Sequence, residues 1–150
     1  MKAKELQIGD WVQFSDGNKK CTVVGIKCDA RYLEDEAIIT VMDRSGHWFD
    51  KEMDYLEPIP LTAEILEQNG FVTKDKPDYL AGYRSYTYKY SGGSTGLTFR
   101  LFHDTGKHKW SGKCEISLNS LPYCIRFEYL HELQHILKIC GIDKEIKLEG

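Results

Sequence analysis

The sequence predicts a β-rich α+β protein, on three observations. Residues 1–57 hold short β-branched and aromatic runs separated by Gly, Asp and Asn turn signals, the pattern of a small barrel or curled sheet. Arg84-Ser85-Tyr86-Thr87-Tyr88-Lys89-Tyr90 alternates strictly, as a half-buried antiparallel strand does. Leu130, Leu133, Ile136, Leu137 and Cys140 fall on one stripe when residues turn by ~100° each, so a helix is expected over about 128–140, packed on a sheet by that stripe.

Taken in order, Gly9-Asp10 turns the chain into the strand Trp11-Val12-Gln13-Phe14, and Ser15-Asp16-Gly17-Asn18 is a loop of turn formers. Cys21-Thr22-Val23-Val24-Gly25-Ile26 is a strand with a bulge or sharp bend at Gly25. Ala37-Ile38-Ile39-Thr40-Val41-Met42 is the most strand-like run, and Asp43-Arg44-Ser45-Gly46 turns it into His47-Trp48-Phe49. This opening, with its Leu6-x-x-Gly9-Asp10-Trp11-Val12, resembles SH3-like barrels, which implies a fold and no function. Glu57-Pro58-Ile59-Pro60 reads as an extended, stiff link. Two domains are therefore expected: an SH3-like β-barrel over 1–57 and an α+β domain with a C-terminal helix over 58–150.

In the second part, Thr62 is placed to N-cap a short helix, Glu64 suits its first turn, Leu61 and Leu66 have hydrophobic-staple spacing, and Asn69-Gly70 stops it. Ile65, Leu66 and Phe71 should then face inward. Strands follow through Leu97-Thr98-Phe99-Arg100-Leu101-Phe102 and Cys114-Glu115-Ile116-Ser117-Leu118. Pro122 reads as restarting the chain toward the final helix, which Gly141 ends.

Lys and Arg number 20 against 23 Asp and Glu, so the formal net charge of -3 argues against sequence-independent attraction to nucleic acid. No stretch approaches the ~18 apolar residues of a membrane span, and the lysines near Met1 precede no apolar core, so a cytoplasmic, non-membrane protein is expected. The five cysteines, Cys21, Cys28, Cys114, Cys124 and Cys140, form no C-x-x-C pair and read as buried free thiols.

His131-Glu132-Leu133-Gln134-His135 spells H-E-x-x-H, in which two histidines on one helix face hold zinc and the glutamate acts as general base. The third ligand is missing from its usual place: Lys138 stands where one extended motif has Gly, and Gly141 where it has His. His103, His108 or Asp104, or Glu145 or Glu149 on the short tail, would have to supply it. On the wheel, both histidines lie ~160° from Leu133, beside Glu128 and Lys138, so they are expected to point into water. The leading expectation is accordingly no cofactor and no catalytic residue. The alternative is a zinc hydrolase with His131 and His135 as ligands and Glu132 as base.

The segment from Tyr129 to His135, with Gly141 and Glu145-Ile146, the opening Met1-Lys2-Ala3-Lys4-Glu5-Leu6 and the stretch from Glu57 to Thr62 resemble an uncharacterised family of small proteins from gut Bacteroidales genomes and their phages. Leu133 and Gln134 match the steadier positions of that family, and its second histidine is not a fixed feature. The resemblance carries no activity. It implies a chain encoded by a phage or mobile element.

Tyr86, Tyr88 and Tyr90, with Arg84, Lys89 and Arg100 close by, form the candidate binding surface. It suits a protein partner, or stacking of single-stranded nucleic acid, with cross-strand packing as the plainer reading. Lys107, His108, Lys109 and Lys113 form a polar tip in reach of phosphate. Trp11, Trp48 and Trp110 are expected in core or rim packing, and Asp29 to Glu36 as a solvent loop. The favoured function is a non-enzymatic binding or adaptor protein. Weak single-stranded nucleic-acid binding through the tyrosine strand is a further alternative.

Overall fold

The computed structural model describes residues 1–17, 19–27, 37–73, 83–90, 97–104, 112–118, 121–139, 141–142 and 144–148, and over 73–126 the strand backbones alone. The chain is α+β and rich in antiparallel sheet. It divides into two compact units, Met1–Pro60 with Tyr129–Gln134, and Leu61–Glu128 with His135–Gly150. No described helix is long and apolar enough to cross a membrane.

The first unit holds β1 (Trp11–Phe14), β2 (Lys20–Lys27), β3 (Ile38–Met42), β4 (Trp48–Glu52) and β5 (Leu56–Pro58), in the sheet order β4-β3-β2-β1-β5. Strands β1 to β4 follow one another as a meander, and β5 returns to pair with β1 after a short 3-10 turn over Met53–Tyr55. One face is the core: Val12, Cys21, Val23, Ile39 and Val41 are fully buried, joined by Ala3, Leu6, Met53 and Leu56. The opening Gly9-Asp10 turn works through backbone and side chain together. Gly9 takes a positive φ of 98°, where L side chains clash. The buried Asp10 carboxylate accepts from the Gln7 N–H at 2.6 Å.

The register of β2 against β3 shifts between Val23 and Gly25, the bulge that Gly25 suggests in the sequence. A Cβ at Gly25 would lie 3.3 Å from Thr40 Cβ and 3.3 Å from its Oγ1. The extended stretch at the prolines is put to use as sheet. Pro58 pairs with Val12 in β5, the last strand in the sheet order, where a missing N–H costs no ladder bond.

The second unit holds α1 (Ala63–Gln68), β6 (Val72–Thr73), β7 (Tyr83–Tyr90), β8 (Leu97–Asp104), β9 (Gly112–Leu118) and β10 (Leu121–Phe127), in the sheet order β10-β9-β8-β7-β6. Helix α1 is built as the sequence says. Thr62 Oγ1 accepts from the Ile65 N–H at 3.3 Å. At the other end the Phe71 N–H reaches the Leu66 carbonyl and the Gly70 N–H the Glu67 carbonyl, with Gly70 at φ 77°. These are the two bonds of a Schellman stop, and Leu66 and Phe71 supply its buried apolar pair.

The expectation that Pro122 restarts the chain toward the helix is corrected: Pro122 lies inside β10, paired with Ser117. Tyr123-Cys124-Ile125-Arg126-Phe127 has strand composition, and an end strand tolerates a proline. Helix α2 (Leu130–Ile139) closes with the same stop as α1: Ile142 N–H to Leu137 carbonyl, Gly141 N–H to Lys138 carbonyl, Gly141 at φ 69°.

Candidate functional site

Each residue of the H-E-x-x-H segment has a place in α2. Leu133 is fully buried, as are Leu130 and Leu137, so the apolar stripe is real. Glu132 reaches back one turn, and its carboxylate accepts from the Tyr129 N–H at 3.0 Å. That is the carboxylate half of a capping box, which satisfies a donor the helix start would otherwise leave open and places negative charge near the positive end of the helix dipole. Gln134 makes a paired contact with the opening turn. Its Oε1 accepts from the Trp11 N–H at 3.0 Å and its Nε2 donates to the Gly9 carbonyl at 3.0 Å. A side-chain amide carries one acceptor and donors in the spacing of a peptide group, so Gln134 serves β1 as a neighbouring strand would.

The expectation that His131 points into water is overturned. His131 is only 3% exposed, and its ring stacks on Tyr129 with centroids 6.0 Å apart and planes 14° apart. The wheel gave relative angles correctly but could not say how many sides of the helix are covered. His135 is half-buried, and the outermost residues are Lys138 and Ile139, the latter 83% exposed. Among the described residues, no group of three or more His, Cys, Asp or Glu is placed to hold a metal ion.

The accessible chemistry of the first unit is aromatic and cationic. At one end of its core, Phe14 from β1 and Phe49 from β4 meet edge to face at 6.0 Å. Lys19 Nζ lies 4.2 Å from the centre of the Phe49 ring, and Lys51 Nζ 5.2 Å from Phe14 and 5.9 Å from Tyr55. Tyr55 is 55% exposed, and the Ser15 N–H donates to its carbonyl at 3.0 Å. Trp48, expected in core or rim packing, is 66% exposed on β4, because it occupies the face turned away from the core.

The turn joining β3 to β4 is held by one carboxylate. Asp43 Oδ1 accepts from the Ser45 N–H at 2.9 Å and the His47 N–H at 3.0 Å. Lys19 Nζ sits 2.7 Å from Asp43 Oδ2. The hydrogen bond from Lys19, then those from the turn, hold the Asp43 pKa down at about 2. On the outward face, Asp50 accepts from Thr40 Oγ1 at 2.6 Å and from Lys27 Nζ at 3.1 Å, the first and larger cause of its lowered pKa being Thr40. Cys21 is a buried free thiol, and burial pushes its pKa up.

Tyr86, Tyr88 and Tyr90 occupy alternate positions of β7, opposite Leu101, Phe99 and Leu97 of β8. Arg84 and Lys89 lie on the same strand, and Arg100 pairs with Thr87. His103 and Asp104 end β8. The side chains of this surface lie outside the described residues, as do those of Cys28, Cys114, Cys124 and Cys140, residues 107 to 110 and the acidic stretch 29–36. Gln134 is the working residue to which sequence reasoning gives no contact, and Asn69, read there only as part of the helix stop, also pairs through its side-chain amide with the Lys147 backbone. Comparison with family models, with curated proteins and with solved structures found no match.

Proposed function

We propose that this chain is a non-enzymatic binding or adaptor protein whose partner, a protein, is met by the first unit. The observation that carries the reading is the set of aromatic groups left accessible there: Tyr55, more than half exposed, shares Lys51 with the Phe14–Phe49 pair, and Trp48, more than half exposed, stands on the opposite face of β4. Exposed aromatic groups on a stiff sheet are the usual anchors of protein recognition. We take this unit to be an SH3-like barrel. The order β5-β1-β2-β3-β4, the bulged β2 and the 3-10 turn before β5 support that reading. In keeping with the sequence resemblance, we take the chain to be encoded by a phage or mobile element, and its partner to be a cytoplasmic protein of the bacterial host.

The zinc-hydrolase reading stands as the alternative. The engagement of Glu132 by the Tyr129 N–H and the burial of His131 against Tyr129 weigh against it. One experiment separates the two. Chain purified without a histidine tag is used for cross-linking capture from host lysate, and a second portion is analysed for metal. The adaptor reading expects specific partners whose yield falls in Trp48→Ala and Tyr55→Ala. Stoichiometric zinc lost in His131→Ala, with no captured partner, would replace it with the hydrolase.

A further inference from the structure

Asn69 is followed by Gly70, and of the three asparagines in the chain, Asn18, Asn69 and Asn119, it alone precedes a glycine. That dipeptide carries its own chemistry. The backbone nitrogen of the following residue attacks the asparagine Cγ, the bond from Cγ to the side-chain nitrogen breaks, and ammonia leaves. Water then opens the resulting cyclic imide at either carbonyl, giving aspartate or its backbone-shifted isomer, isoaspartate. Water is the sole co-reactant. Glycine favours the attack because no Cβ crowds its nitrogen.

The fold holds this reaction in check at three points. With ψ at 16° on Asn69, the Gly70 nitrogen lies across the Cα–C bond from the side chain, out of line with Cγ. The Gly70 N–H donates to the Glu67 carbonyl at 3.0 Å, and the nitrogen must give up that proton to attack. The Asn69 amide, 6% exposed, is fixed by the Ile65 carbonyl at 2.8 Å and by the carbonyl and N–H of Lys147 at 2.8 and 2.9 Å. All three belong to the stop of α1, so they are lost together when that stop opens. Helix α1 spans only Ala63–Gln68, and a helix of that length holds by its packing and caps alone.

We propose that Asn69-Gly70 is a self-modification site, at which opening of the α1 stop allows loss of ammonia and one-way release of the segment 144–148. In that segment Ile146 and Leu148 are buried while Glu145 and Lys147 are exposed, and Asn69 clamps it by the Lys147 backbone. A carboxylate has no N–H to give. After the conversion, oxygen faces oxygen at the Ile65 and Lys147 carbonyls, and both lose the donor that Asn69 supplies. The isoaspartyl product also adds a carbon to the main chain inside the stop. Neither product can re-form the clamp, so an opening that reacts is final.

The test is ageing of the full chain at neutral pH in heavy-oxygen water, folded and in urea, read by peptide mass spectrometry. In urea Asn69 should convert faster than Asn18 and Asn119, with heavy oxygen in the product. In the folded chain it should still convert, at least about tenfold more slowly. Thr62→Ala, which loosens α1 from its other end, should speed the folded reaction about fivefold and leave the urea rate unchanged. Hydrogen exchange then reads the release. In Asn69→Asp, and in the converted fraction of the aged chain, the Lys147 amide should lose protection by about tenfold or more while the Val23 amide keeps it. No conversion in urea or in the folded chain, equal rates in the two, a folded rate indifferent to Thr62→Ala, or undiminished protection at Lys147 would each overturn the proposal. Equal loss at Val23 would do so too, since it means general unfolding rather than release. The aged chain is folded before it reacts, so the exchange reading holds even where Asn69→Asp does not fold.

Discussion

Helices α1 and α2 end alike and are tied down alike, yet only one of them is transparent in the sequence. Both stop on a left-handed glycine, Gly70 and Gly141, with the same pair of backbone bonds. Each has an amide side chain, Asn69 at the C-cap of α1 and Gln134 within α2, that pairs with a distant backbone. Asn69 donates to the Lys147 carbonyl at 2.8 Å and accepts from the Lys147 N–H at 2.9 Å, while also donating to the Ile65 carbonyl. Gln134 does the same for Gly9 and Trp11. The difference lies at the start. Helix α1 is opened by Thr62, an ordinary cap, whereas α2 is opened by Glu132 inside a string that imitates a zinc site. A short motif specifies residue types and spacing, and the partners that decide the role of those residues are supplied by the rest of the chain.

The comparison can be broken at its core first. Leu66 in α1 and Leu133 in α2 are both fully buried. Truncation of either to Ala should destabilise by about 2–5 kcal/mol in urea unfolding. A near-neutral Leu133→Ala would mean that the α2 stripe does not hold the fold together. The amide pairs come next. Asn69→Ala and Gln134→Leu each strand backbone groups, and each should cost about 1–3 kcal/mol. Asn69 should be the larger, because it is buried at 6% exposure and makes three bonds against two. Reversal of that order would show that the strap to the opening turn matters more than the one to the tail.

Smaller still is the capping carboxylate. Glu132→Ala should cost about 1 kcal/mol, close to the value of other lost caps, and Glu132→Gln less, whether zinc is present or chelated. The smallest effect is in acid. The folded pKa of Asp43, at about 2, lies below its ordinary 3.8, so its contribution is complete above the usual carboxylate range and disappears as pH falls toward about 2. The urea midpoints of the unaltered chain and Asp43→Asn should therefore differ at neutral pH and converge between about pH 4 and pH 2. A gap independent of pH would mean that geometry, not charge, is what Asp43 provides.

Much of the fold was legible because it is local. The strand alternation around Val12, Ile39 and Val41, the bulge at Gly25 and the Thr62-to-Gly70 helix each follow from residues within a few positions of one another. Strand β10 was missed because Pro122 reads as a break until its end position in the sheet is known. The candidate site was less legible for the same reason in reverse. Gln134 finds its partners 123 and 125 positions away in sequence, and no periodicity encodes such a pairing. Nor did the strand pattern alone show that Trp48 would stay 66% exposed, since a tryptophan beside Phe49 suits a core as well as a surface.

The strap between Gln134 and the opening turn is the point on which the structural reading of the motif rests. Hydrogen exchange at single amides measures it directly, by comparing Trp11 with Val23, whose N–H donates to the Asp10 carbonyl at 2.8 Å and not to Gln134. In Gln134→Leu, protection at Trp11 should fall much further than protection at Val23. If both amides exchange as slowly as in the unaltered chain, or lose protection equally, Gln134 does not hold β1, and the account of the motif as a structural tie fails.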